Sequence, residues 1–184
     1  SDYTPVNGVI SIPAGQTSAT FALPILDDML DEDDETIVLT LSNPSGAALG
    51  ANATLTLTLL DNDAVPILSL AHTSIGESAA SVSFVVALNV PSGRTITVIA
   101  NTSNVTAVAN EDYIPLVNYL VTIPPGQGSA IVTVQLINDG SPEGTEQFAL
   151  GLSSPVNASL LSSLGAATIS DDDKAGSFLP LIWR

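Results

Sequence analysis

The residues of this chain with the clearest chemical potential are carboxylates that recur at fixed spacing. Asp139, Glu143 and Glu146 form an Asp-x-x-x-Glu-x-x-Glu run, and Asp28, Glu32 and Glu35 repeat it. Asp171, Asp172 and Asp173 are matched by Asp61-Asn62-Asp63, and Asp112 by Asp2. Glu77 is a further acid, in the later half only. Carboxylates gathered at one place repel each other unless a cation lies among them. Calcium suits such a set, because it accepts six to eight oxygens at ~2.3–2.6 Å in flexible geometry. Magnesium demands stricter geometry, and zinc prefers nitrogen and sulfur. The chain has one His, His72, and no Cys. An EF-hand does not fit residues 27–35, which lack the Gly at loop position six and flanking helices. A merely solvated acidic surface would not repeat its acids at matching positions of two copies.

The elements that must position these acids are strands. Val82, Phe84, Val86, Leu88 and Val90 alternate with Ser83, Val85, Ala87 and Asn89. Phe21, Leu23 and Ile25 do the same, as do Val132, Val134 and Leu136, and Leu55, Leu57 and Leu59. Period 2 sends one set inward and the other outward. Turn signals separate the runs at 13–15, 91–93, 124–126 and 139–141. No segment has a convincing helical pattern. The acids fall at strand ends and in loops, which a β-sandwich collects at its two ends.

The repeat extends beyond the acids. Asp2-Tyr3 matches Asp112-Tyr113, Ile12-Pro13-Ala14-Gly15-Gln16 matches Ile123-Pro124-Pro125-Gly126-Gln127, and Leu39, Leu41 and Pro44 match Leu150, Leu152 and Pro155. The offset stays at 110 or 111 throughout. That period suits a whole sandwich domain rather than a solenoid unit. The expected organisation is an incomplete first copy at 1–64, a complete second copy at 65–176 and an apolar tail at 177–184. The first copy lacks the counterpart of residues 66–111. The fold class expected is all-β: tandem immunoglobulin-like antiparallel sandwiches, the first without its N-terminal strands.

Composition excludes several function classes. Nineteen acidic against 3 basic residues give a net charge of −16. Three cations cannot build a nucleic-acid footprint, and an anionic membrane surface is disfavoured for the same reason. No apolar run approaches the ~20 residues of a membrane helix. Cys chemistry is absent. No nucleophile elbow, phosphate loop or dinucleotide fingerprint occurs. Paired carboxylates cleave glycosides in some enzymes, but usually in a cleft lined with aromatics, and this chain has one Trp, three Tyr and four Phe. It is not expected to be an enzyme. Asn52, Asn101, Asn104 and Asn157 head Asn-x-Ser/Thr sequons, which arise easily in a Ser/Thr-rich β protein.

With these motifs in place, the sequence resembles the Calx-β domain, the immunoglobulin-like calcium module of sodium/calcium exchangers, integrin β4 and many bacterial surface proteins. The resemblance covers residues 1–176 and rests on Asp-Tyr, Ile-Pro-x-Gly-Gln, the spaced acids and the closing Asp-x-Asp. It implies calcium ligands at Glu77, Asp112, Asp139, Glu143, Glu146, Asp171, Asp172 and Asp173, with the carbonyl of Ser141. In the first copy it implies Asp2, Asp28, Glu32, Glu35, Asp61 and Asp63, with the carbonyl of Leu30. That copy has no counterpart of Glu77, and Asn62 replaces the central Asp, so its site is expected to be weaker or to hold fewer ions.

The expected function is a calcium-binding structural or adhesive module of an extracellular or cell-surface protein, with Ca2+ stiffening loops and the junction between copies. Two alternatives remain open: a filament subunit assembled by strand complementation between protomers, and a regulatory calcium-sensor region of a membrane protein. The expected partners are calcium ions, other copies of the chain or neighbouring domains of a longer one. Phe178 to Trp183 is a candidate donor strand.

Overall fold

The structure, a computed structural model, describes residues 2–173. The tail expected at 177–184 lies outside them. The described residues contain no helix. Their strands are β1 (Glu35–Thr40), β2 (Thr54–Leu59), β3 (Ile67–Leu70), β4 (Thr73–Gly76), β5 (Ser81–Leu88), β6 (Ile96–Asn104), β7 (Tyr119–Ile123), β8 (Ser129–Gln135), β9 (Glu146–Val156), β10 (Ser159–Leu160) and β11 (Leu164–Ser170).

In the second repeat, β10-β3-β5-β8 form one sheet and β4-β11-β9-β6-β7 the other. Pairing is antiparallel except where β3 meets β10 and β4 meets β11, which run parallel. The chain switches sheets between β3 and β4, so one short stretch supplies a strand to each sheet. The alternation in β5 works as period 2 requires: Val82, Phe84 and Val86 are buried. Leu68, Val132 and Val134 join them, facing Val98, Val121, Phe148, Leu150 and Ile169 of the other sheet. Phe148 anchors the core, with the Tyr113 ring stacked on it at 4.2 Å and the Phe84 ring edge-on at 5.9 Å. The Tyr113 hydroxyl donates to Asn104 Oδ1 at 2.7 Å, so its polar tip is satisfied.

The Pro-x-Gly-Gln motif is a turn in both repeats. Gln16 N–H donates to the Pro13 carbonyl at 3.0 Å and Gln127 N–H to that of Pro124 at 3.1 Å. Gly15 (φ 84°) and Gly126 (φ 74°) occupy the third position, where a type II turn needs positive φ.

In the first repeat β1 and β2 pair antiparallel, Glu35 opposite Leu59 through Thr40 opposite Thr54. The strand expected over Phe21–Ile25 does not form. Only a Tyr3–Ile25 bridge is made, and Phe21 and Ile25 stay half exposed. Its counterpart in the second repeat, β8, pairs with β5, whereas no described strand lies beside Phe21–Ile25. An open cleft of about 1450 Å³ is lined by Phe21, Val38, Leu39, Leu41 and Leu55.

Candidate metal centres and the junction between repeats

Every acid of the second repeat singled out by spacing lies at one end of its sandwich. Glu77 follows β4, Asp112 precedes β7, Asp139 and Glu143 lie between β8 and β9, Glu146 opens β9, and Asp171 to Asp173 follow β11. Backbone bonds pull these ends together. Glu77 N–H donates to the Ser170 carbonyl at 2.9 Å, and Ile137 N–H to that of Asp112 at 2.9 Å.

Two trios of carboxylates result, Glu77–Asp171–Asp173 and Asp112–Glu143–Glu146, each with one oxygen per residue within 4.8 Å of the others. Asp139 and Asp172 belong to neither trio. Asp139 donates its backbone N–H to Glu77 Oε1 at 3.3 Å, and its Oδ1 accepts from Ser141 N–H at 2.7 Å. Asp172 accepts from Ser78 N–H at 3.2 Å.

The electrostatics are those of negative charges held together. Burial, reinforced by the surrounding acids, raises the carboxyls of Glu77, Glu143 and Asp173 above their ordinary range. Glu146 is pushed up to about 7, by burial first, then by its hydrogen bond with Asp112 and the charges of Asp112, Glu143 and Glu77. Asp171 is lowered instead, because it accepts from the N–H groups of Asp173 (2.9 Å) and Glu143 (2.9 Å). Asp173 Oδ2 is buried with no hydrogen-bond partner. A buried, unsatisfied acceptor beside two more carboxylates is costly unless a cation satisfies it. The donor set is all oxygen, which fits calcium.

In the first repeat, Asp2, Asp28, Leu30, Glu32, Glu35, Asp61 and Asp63 all line one cleft of about 290 Å³. Leu30 N–H donates to Asp28 Oδ1 at 2.8 Å, the same turn that Asp139 makes with Ser141. Glu35 is raised, mainly by its hydrogen bond with Asp2, and Asp2 is lowered by that bond. Glu32 and Asp63 are raised, burial first and neighbouring acids second.

One feature carries no repeat or spacing signal. The acidic loop of the first repeat docks on the β5–β6 loop of the second. Asp31, 3% exposed, pairs with Ser92 as a parallel bridge. The Ser92 hydroxyl donates to the Asp31 carbonyl at 2.9 Å, and Gly93 N–H donates to the same carbonyl at 3.1 Å. Arg94, the only Lys or Arg among the described residues, reaches Asp33 at 2.8 Å and the Glu32 carbonyl at 2.5 Å, with Asp31 3.8 Å away. A side chain at Gly93 would meet the Glu32 side chain, Oε1 at 2.5 Å, which would have to swing aside. The signal that could have found this junction is Arg94 itself, one of three cations in a chain of net charge −16.

The raised carboxyls set a pH dependence. Their folded pKa values exceed the unfolded ones, so without metal the folded state holds more protons above the ordinary carboxyl range, for Glu146 up to about 7. Stability is then greatest at low pH and is lost as pH rises through 7. Calcium needs the deprotonated oxygens and reverses the slope. Thermal midpoints in chelator are expected to fall from pH 5.5 to pH 8, and those in calcium to rise; parallel curves would contradict this.

A family model for the Calx-beta domain matches residues 1–63 and 61–173. Extracellular matrix protein 3 of Lytechinus variegatus is 33% identical over 164 residues, 84% of this chain and 5% of that protein. Adhesion G-protein coupled receptor V1 of Danio rerio is 28% identical over 170 residues, 87% of this chain and 3% of that protein. The chain thus spans a small fraction of either relative. Among solved structures, the apo form of the Calx CBD1 domain superposes with a TM-score of 0.55 at 22% identity, covering 60% of this chain and 100% of that one. CBD12 from CALX1.2 superposes with a TM-score of 0.54 at 22% identity, covering 58% of this chain and 46% of that one. These likenesses concern the fold.

Proposed function

We propose that this chain, which belongs to the Calx-beta domain family, is a calcium-stiffened structural segment of an extracellular or cell-surface protein, without catalytic activity. The repeats divide at residues 64 and 65, and each takes calcium at its acidic end. In the second repeat the ligands are Glu77, Asp112, Asp139, the Ser141 carbonyl, Glu143, Glu146 and Asp171 to Asp173. In the first they are Asp2, Asp28, the Leu30 carbonyl, Glu32, Glu35, Asp61 and Asp63. The extracellular matrix and adhesion relatives support the setting.

One observation carries the structural role. Asp28, Leu30, Glu32, Asp33 and Glu35 of the first repeat line its acidic cleft, and residues 31–33 of the same loop hold the second repeat. Calcium that orders this loop orders the junction as well. Without calcium the acids repel, and the contacts of Arg94, Ser92 and Gly93 with residues 31–33 oppose the opening. Arg94→Ala leaves the buried Asp31 carboxylate without its cation and weakens docking by about 1–3 kcal/mol.

Small-angle scattering tests this. The unaltered chain is expected to be most extended and rigid in calcium, and more variable in chelator. Arg94→Ala in chelator should broaden the distribution further, while the melting of the second repeat stays unchanged. Identical dimensions in calcium and chelator, for both proteins, would contradict the role.

A further inference from the structure

The first repeat's open cleft, the junction and the outer edge of β8 are the main surfaces that calcium binding leaves unexplained. The β8 edge carries an inference independent of metal. Strand β8 ends its sheet, and no strand among the described residues pairs with its outer side. The phase of its pairing with β5 is fixed at both ends. Leu88 N–H donates to the Gly128 carbonyl at 2.8 Å, and Leu136 N–H to the Ala80 carbonyl at 3.1 Å. By alternation, Ala130, Val132 and Val134 bond to β5, and Ser129, Ile131 and Thr133 turn their N–H and C=O groups outward. Beyond Thr133 the edge closes: the Gln135 carbonyl accepts from Ile114 N–H at 2.9 Å, and Ile137 N–H donates to Asp112.

This open stretch lacks the usual protection. Natural edge strands carry Lys, Pro, bulges or inward charges that block pairing with another chain. Residues 113–138 contain no charged side chain, in a protein of net charge −16. Ile131 is 64% exposed and stands directly opposite Val85, itself 47% exposed, on the outer face of the sheet. The acids lie past Gln135, toward the end where the metal ligands gather. Within the Ser129–Thr133 stretch itself, a second copy brings no carboxylate against another.

We propose that β8 pairs antiparallel with β8 of a second copy about a two-fold axis at Ile131. The stretch is self-complementary: Ile131 faces Ile131 of the other copy, and Ser129 faces Thr133. Two four-stranded sheets become one eight-stranded sheet. Val85 and Ile131 of both copies form a continuous apolar stripe across it. The contact is small and belongs to the weak, transient class of interface.

Absence of Cys from the chain makes the register testable. The opposed positions lie ~5.5 Å apart at Cα in a hydrogen-bonded antiparallel pair, within disulfide range. The full chain carrying Ile131→Cys is expected to cross-link to a dimer under mild oxidant several-fold more than Thr133→Cys, whose opposite residue is Ser129. Adding Ser129→Cys to Thr133→Cys should restore the yield. Ile131→Lys should abolish concentration-dependent association in sedimentation while leaving the melting midpoint and its calcium response unchanged. A monomer at every concentration, or equal cross-linking at Ile131 and Thr133, overturns the proposal, and neither result touches the calcium reading. Cross-linking of Ile131→Cys that persists in Ile131-independent aggregates, seen as higher oligomers without a dimer plateau, overturns it too.

Discussion

Glu77→Gln is expected to move stability in opposite directions with and without calcium. Glu77 is 6% exposed and shares its site with Asp171 and Asp173. Burial raises its carboxyl, the Asp139 N–H bond partly offsets this, and the neighbouring acids raise it further. At pH 8 in chelator the wild type therefore holds a buried charge against like charges. Gln keeps an oxygen for the Asp139 N–H and removes the charge, so the chelator midpoint should rise. In calcium the same change deletes a charged ligand. We expect affinity to fall at least ~10-fold, or about 1.4 kcal/mol of linked stabilisation at saturating metal. Calorimetric titration and paired melts read both halves. Destabilisation of similar size in both conditions would mean that Glu77 is only a packing residue.

Phe148→Ala should have the largest effect of any single substitution in the second repeat. The ring is fully buried between Phe84 and Tyr113, and comparable truncations cost about 3–5 kcal/mol. The loss should reach the metal end as well. Tyr113, stacked on Phe148, directly follows Asp112, and Phe148 lies two residues after Glu146 in β9. A cavity there frees Tyr113 to shift and loosens the Asp112–Glu143–Glu146 trio. Calcium affinity should fall together with the denaturation midpoint. A cost below about 1 kcal/mol, or intact affinity in a destabilised protein, would separate core from site.

Much of this architecture is legible in local patterns. The period-2 runs in β5 and β8 name inward residues because a strand alternates its faces, whereas in β2 Leu55 stays 55% exposed. The repeated Ile-Pro-x-Gly-Gln marks a turn because only Gly takes its positive φ without strain. The acids fall at strand ends because sandwich loops gather there. Legibility fails where pairing depends on distant or missing partners. Phe21–Ile25 has the alternation of a strand, yet a strand's hydrogen bonds require a neighbour, and among the described residues it meets only the Tyr3 bridge. The switch of sheets between β3 and β4 leaves no periodic trace over four-residue strands. Spacing also cannot divide the acids into Glu77–Asp171–Asp173 and Asp112–Glu143–Glu146, because that division depends on how segments from four places fold over one end. The Asp31–Ser92–Arg94 contact joins loops of different repeats, so neither repeat foreshadows it.

The most direct test of the central claim is a thermal melt of the full chain at pH 7.5, in 2 mM calcium and then in excess chelator, beside the Asp171/Asp172/Asp173→Asn variant. The expected result is a large calcium-dependent rise in the midpoint of the second repeat, absent in the variant. An unchanged wild-type midpoint, or an equal rise in the variant, would contradict calcium binding at this acidic end.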